Sequence, residues 1–223
     1  MTKYIEIPPL QLQEMQLPQF FVSREVLREN NSFRYNKGAL EYQRYNPPSL
    51  ANLVQAFFGR TSDGEYISQE FRSSVISTEE EGEWTCSFVQ QREKGYPFLI
   101  LMNRPEFYFE NSQLHARCDP ADSYPVISPS SGWVTEFDME TGWPKNTSKE
   151  VNDAKVEFGS SLAYLDISDG INGISPICRY HPRTGRTPFL IYVRGNILTF
   201  DAYVGAREFR TQMPDQRCII KDS

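Results

Sequence analysis

Residues 97–110 read Pro97-Phe98-Leu99-Ile100-Leu101-Met102-Asn103-Arg104-Pro105-Glu106-Phe107-Tyr108-Phe109-Glu110. Two apolar runs, each too short for a stable helix, are separated by Asn-Arg-Pro punctuation. That predicts two neighbouring strands, Pro97–Met102 and Glu106–Glu110. In the second run side chains alternate, so Phe107 and Phe109 share one face and Tyr108 takes the other.

The same texture continues from residue 64 onward, with β-branched and aromatic residues alternating between Gly, Asn and Pro. It predicts further strands at Glu65–Ile76, Glu83–Gln90, Trp133–Asp138, Val156–Ile167, Ile174–Arg179, Phe189–Val193, Ile197–Tyr203 and Arg217–Ile220. Asn172-Gly173 and Gly195-Asn196 have the composition of tight primed hairpin turns. Cys118–Ser131 and Thr141–Ser148 read as long loops, the usual carriers of sites. Pro97-Phe98-Leu99-Ile100 recurs as Pro188-Phe189-Leu190-Ile191, an echo that either a duplication or the small alphabet of buried strands explains.

Upstream the pattern changes. Ser49 stands as N-cap after Pro47-Pro48, and Leu50, Leu53, Val54 and Phe57 fall on one face before Gly59, predicting an amphipathic helix. The first 48 residues, rich in Gln, Asn, Pro and Tyr, read as an extended arm lying on the domain, with Ser23 as cap of a short helical turn reaching Asn30. A chain of 223 residues fits one large domain. The expected architecture is α+β and β-rich, a partly closed antiparallel barrel or sandwich with one docked amphipathic helix. Residues 1–48 form its arm and 49–223 its globular body.

No apolar run approaches the length of a membrane span, and the start lacks the hydrophobic core of a signal peptide, so a cytoplasmic protein with no membrane association is expected. Cys86, Cys118, Cys178 and Cys218 are then expected as thiols or metal ligands rather than bridges. The net charge of −6 is uneven. Residues 177–223 hold eight basic against four acidic side chains, a net of +4, and the remainder carries −10. Either the two parts attract one another within the fold or the basic part is an anion-binding face.

Only two histidines occur, and each has a cysteine three positions away: His115-Ala-Arg-Cys118 and Cys178-Arg-Tyr-His181. Two such turns supply the tetrahedral S2N2 donors that suit zinc, and four protein ligands make a closed, structural site. The same residues permit a hydrolase or transferase with a Cys–His pair, which needs a cross pair such as Cys118 with His181 because residues three apart on a strand face opposite ways. No phosphate-binding glycine loop, dinucleotide fingerprint or serine nucleophile elbow is present. Asp166–Gly173 has the composition of a calcium loop but fails its register.

Aromatics interleave with basic residues: Phe107, Tyr108 and Phe109 on one strand and Tyr192, Phe200 and Tyr203 on a hairpin, with Arg104, Arg117, Arg179, Arg183 and Arg194 close in sequence; Arg104, Phe107, Phe109, Arg183, Arg186 and Arg194 are the candidate ligand-binding residues. On a small barrel these would stack bases and neutralise phosphates, the physics of single-stranded nucleic acid binding. The stretch Pro97–Asn103, followed by the Cys and His candidates, resembles a strand of the zinc-containing single-strand DNA-binding proteins of T-even phages. The resemblance spans seven residues, and the ligand spacing and the basic C-terminal segment depart from that family. The expected function is a non-enzymatic binding protein with a structural zinc, its ligand single-stranded nucleic acid. The Cys–His enzyme and a protein-interaction subunit of a larger assembly are the alternatives.

Overall fold

The computed structural model describes residues 2–26, 33–36, 39–42, 46–77, 82–91, 97–149, 163–167, 171, 173–180, 187, 189–193, 205–212 and 219–220. The expected helix, α1, spans Leu50–Phe58. Ser49 Oγ accepts from Asn52 N–H while Asn52 Oδ1 accepts from Ser49 N–H, a reciprocal capping box. Gly59 caps its end, its N–H donating to Gln55 O, and only glycine fits because a Cβ there would lie 2.4 Å from that oxygen. Seven of its nine residues are buried, so α1 is enclosed nearly all round rather than docked by one stripe.

A second helix, α2 (Gln69–Ser77), replaces the strand expected at Glu65–Ile76. Ser68 Oγ accepts from Phe71 N–H at 3.2 Å, and Phe71 and Val75, four apart, are both fully buried. Helical spacing of two large anchors behind a serine cap outweighs the β-branched composition.

The N-terminal segment is extended and holds β1 (Tyr4–Ile7), β2 (Leu10–Gln11), β3 (Gln16–Leu17), β4 (Phe20–Ser23), β5 (Phe33–Asn36) and β6 (Ala39–Tyr42). Ser23 caps no helical turn over residues 24–26; it ends β4, and its Oγ donates to Glu25 O. After the helices come β7 (Glu83–Gln91), β8 (Phe98–Asn103), β9 (Glu106–Glu110), β10 (Gln113–Arg117), β11 (Ser123–Ile127), β12 (Gly132–Phe137) and β13 (Pro144–Ser148). They are followed by β14 (Ala163–Ile167), β15 (Ile174–Tyr180), β16 (Phe189–Val193), β17 (Gly205–Ala206), β18 (Phe209–Arg210) and β19 (Ile219–Ile220). Strands β11 and β13 occupy segments expected to be loops. Both lie at sheet edges, where proline is tolerated.

A nine-stranded sheet runs β11-β8-β7-β15-β16-β14-β12-β13, with β17 beside β7. It is a half-barrel wrapped around α1. Leu99, Leu101, Val126, Val134, Leu165, Phe189 and Ile191 from its concave face join Leu50, Leu53 and Phe57 in the main core. Curling brings the ends of the sheet together: residues 128–131 alone connect β11 to β12, and Trp143 Nε1 donates to Ile127 O at 3.0 Å. A second sheet, β18-β4-β1-β19, adds Ile5, Ile7, Phe20 and Val22 to the same core.

Strands β14 and β15 flank β16 rather than pairing with each other as the arms of a hairpin would, although Gly173 has the positive φ expected of a tight turn, +70°; Asn172 lies outside the described residues. Gly195-Asn196 and Ile197–Tyr203 lie outside the described residues. The 97–100 and 188–191 echo does not superpose in the sheet. Phe189 and Ile191 face the core, whereas the core residues of β8 are Leu99 and Leu101, matched to the other parity. Among the described residues no helix is long and apolar enough to cross a membrane.

Candidate functional site

Because Leu99, Leu101 and Val126 take the concave side, Phe98 and Ile127 must face outward, and they stand directly opposite one another across β8 and β11. Phe98 is 42% exposed and Ile127 62%. Strand β11 is an edge, yet a guarded one. Ser128 N–H bonds Pro97 O, so alternation turns the backbone of Ser123, Pro125 and Ile127 outward. Ser123 N–H is taken by Pro120 O, Pro125 has no N–H, and Ile127 O accepts the Trp143 indole. Strand addition is thereby blunted while the two apolar side chains stay presented.

The hairpin β9–β10 covers the neighbouring part of the convex face. Asn111 and Ser112, with φ of +50° and +63°, make its turn. Phe107 packs edge-on against Phe88, and Leu114, Ala116 and Cys118 join it over Trp84, Met102 and Cys178. Phe107 is therefore core, 5% exposed, and Phe109 is half-buried. The outward side carries Tyr108 stacked on His115 with ring centroids 5.4 Å apart, and Arg117 paired with Glu106 at 2.7 Å. Arg104 is committed to the fold. Its Nη2 donates to Pro47 O at 2.6 Å, and its guanidinium overlies Phe209.

Cys118 and Cys178 thus share one apolar cluster, while His115, odd in a strand whose even residues point inward, faces away from both. His181, Arg183, Arg186 and Arg194 lie outside the described residues. Cys118 Sγ donates to Asn103 O at 3.0 Å and to Asp122 O at 3.3 Å; burial and the Asp122 charge push its thiol up. Among the described residues no three His, Cys, Asp or Glu side chains are arranged to hold a metal ion.

Two features were missed from sequence. Trp133 and Tyr164, cross-strand partners 5.2 Å apart and edge-to-face, sit half-buried on the convex side of β12 and β14. Alternation in those strands was legible, but not that they pair. The second is a buried ionic cluster. Glu83 Oε1 bonds Arg179 Nε, and Glu83 Oε2 bonds Arg207 Nε at 2.8 Å, all three side chains being wholly buried. Arg207 Nη1 also donates to Ser23 O and Arg24 O, joining the two sheets. Burial acts to raise the Glu83 carboxyl, but the two guanidiniums outweigh it and hold it below the usual carboxylate range. The signal was a charge at inward parity: Glu83 shares its side of β7 with Val89, a residue of the main core. Comparisons with protein-family models, curated proteins and solved structures find no match for this chain.

Proposed function

We propose that this is a non-enzymatic binding protein whose partner is another protein, engaged on the convex face of the half-barrel. The observation that carries this reading is the exposed Phe98–Ile127 pair on a guarded edge. Apolar residues rimmed by polar ones are the ordinary anchor of an interface. Residues 97–148, which supply this face, hold seven acidic and three basic side chains, a net of −4. Such a surface repels phosphates and favours a partner with a basic rim. The test is capture by the wild-type protein compared with a Phe98→Ser/Ile127→Ser variant. Capture lost in the variant and insensitive to nuclease supports the reading, and equal capture by both removes it.

Single-stranded nucleic acid is the second reading, favoured by the half-exposed Trp133–Tyr164 pair as a stacking surface. It requires phosphate neutralisation by Arg183, Arg186 and Arg194, since Lys145 and Arg117 are spent on Glu136 and Glu106. A titration with labelled oligonucleotide at two salt concentrations decides it. Binding with a log–log salt slope of about −0.7 per phosphate contact supports it. A structural zinc on His115, Cys118, Cys178 and His181 is a separate proposal. Its support is the common cluster of the two cysteines, and it requires the His115 ring to leave Tyr108. Elemental analysis giving one zinc per chain would support it, and none would remove it.

A further inference from the structure

Phe98 and Ile127 do not stand alone on the convex face. One step along the same side of β8 and β11, Ile100 lies opposite Pro125, the first half-buried and the second exposed. The four side chains form one apolar patch two strands wide, about 5 Å by about 7 Å between Cα positions. Ile100 packs at the margin of the cluster that the β9–β10 hairpin covers, so the hairpin bounds the patch on that side. The approach to the other side is anionic. Asp119 and Asp122 immediately precede β11, and burial, then the charges of Asp122 and Glu140, push up the Tyr124 hydroxyl, which sets both carboxylates near that strand. Asp119, Asp122 and Glu140 are exposed and none is ion-paired among the described residues, whereas Arg117 and Lys145 are paired with Glu106 and Glu136.

We propose, building on the reading of the convex face as a protein interface, that this patch docks a basic amphipathic α-helix of the partner. The apolar stripe of that helix covers Phe98, Ile100, Pro125 and Ile127, and its flanking Lys or Arg side chains meet Asp119, Asp122 and Glu140. An extended segment fits less well on two counts. The outer edge of β11 is closed to strand addition by the Pro120 O bond, the missing N–H of Pro125 and the Trp143 indole on Ile127 O. Laid across the patch instead, an extended chain would hold its own N–H and C=O groups unpaired over apolar side chains. A helix pairs those groups internally and offers apolar side chains at i, i+3 and i+4. On its concave face the same sheet is covered in this way, by Leu50, Leu53 and Phe57 of α1.

The test titrates the full chain with two labelled peptides of identical leucine, lysine and alanine composition. One places its leucines at helical spacing and the other alternates leucine with polar positions. The helical peptide should bind at least about tenfold more tightly than its isomer, and Phe98→Ser/Ile127→Ser should lose at least about tenfold of that affinity. Asp122→Asn/Glu140→Gln should weaken binding and flatten its salt dependence, because the removed charges are exposed and screened by salt. An alternating peptide that binds as tightly as the helical one, and loses its affinity in Phe98→Ser/Ile127→Ser, would overturn the helix while leaving the protein-interface reading in place. Helical-peptide binding unchanged in Phe98→Ser/Ile127→Ser, or no saturable binding of that peptide to the wild type, would overturn the proposal. Loss of partner capture in the same variant would then still support the broader reading, and equal capture would remove both.

Discussion

Glu83 is the side chain on which the junction of the two sheets turns. Removing one partner of a buried ion pair exposes the other to the full desolvation penalty, so Glu83→Gln should cost about 3–5 kcal/mol, measured by urea denaturation at neutral pH. Its carboxyl is held below the unfolded value by Arg179 and Arg207 against the opposing effect of burial. The stability it contributes is therefore complete above the unfolded carboxylate pKa and is lost as pH falls through the lower folded value. Wild-type stability should drop in acid more steeply than that of Glu83→Gln, and parallel pH profiles would contradict this. The thiols make a second residue-scale expectation. Burial pushes Cys86 up to about 11 and raises Cys118, so neither holds much thiolate at neutral pH. Alkylation of the native protein by iodoacetamide, mapped by mass spectrometry, should leave Cys86 and Cys178 unmodified until unfolding. Fast modification of Cys178 would favour the Cys–His enzyme.

At the scale of elements, α1 was legible because its cap, its apolar face and its stop are all local in sequence. Ser49→Ala removes one half of the capping box and should cost about 1 kcal/mol, read as a lowered urea midpoint. The approach of residue 142 to that helix was not legible. Gly142 has φ of +71°, and a Cβ there would lie 2.5 Å from Ala51 N, so Gly142→Ala should destabilise more than the cap variant does. Strands β9 and β16 appear at their expected bounds, since aromatic and β-branched alternation is a local signal. By contrast α2 reads as a strand from its scattered aromatic and β-branched residues Tyr66, Ile67, Phe71, Val75 and Ile76, whereas the four-residue spacing of the buried Phe71 and Val75 is the deciding feature. Strand β11 was hidden by Pro125, which its edge position tolerates, and edges are fixed by pairing that no local window contains.

For the whole molecule, a β-rich α+β half-barrel followed from the succession of strands and the single strong helix. Its curl around α1 did not, because closure depends on Trp143 reaching Ile127 across the sheet ends. The candidate site shows the same division. His115 and Cys118 were paired by spacing, yet alternation along β10 sends His115 to Tyr108 and Cys118 toward the cluster of Cys178. Phe107, a stacking ring by its sequence, packs under its own hairpin, and Arg104 donates to Pro47 O. What the fold leaves exposed instead is Phe98 opposite Ile127, within a segment, residues 97–148, of net charge −4. The most direct test purifies the protein captured by the wild type and measures its affinity calorimetrically for wild type and for Phe98→Ser/Ile127→Ser. Both positions are exposed, so the variant should keep its stability within about 0.5 kcal/mol per site while losing at least about tenfold in affinity. A folded variant that binds the same partner with unchanged affinity would contradict the account.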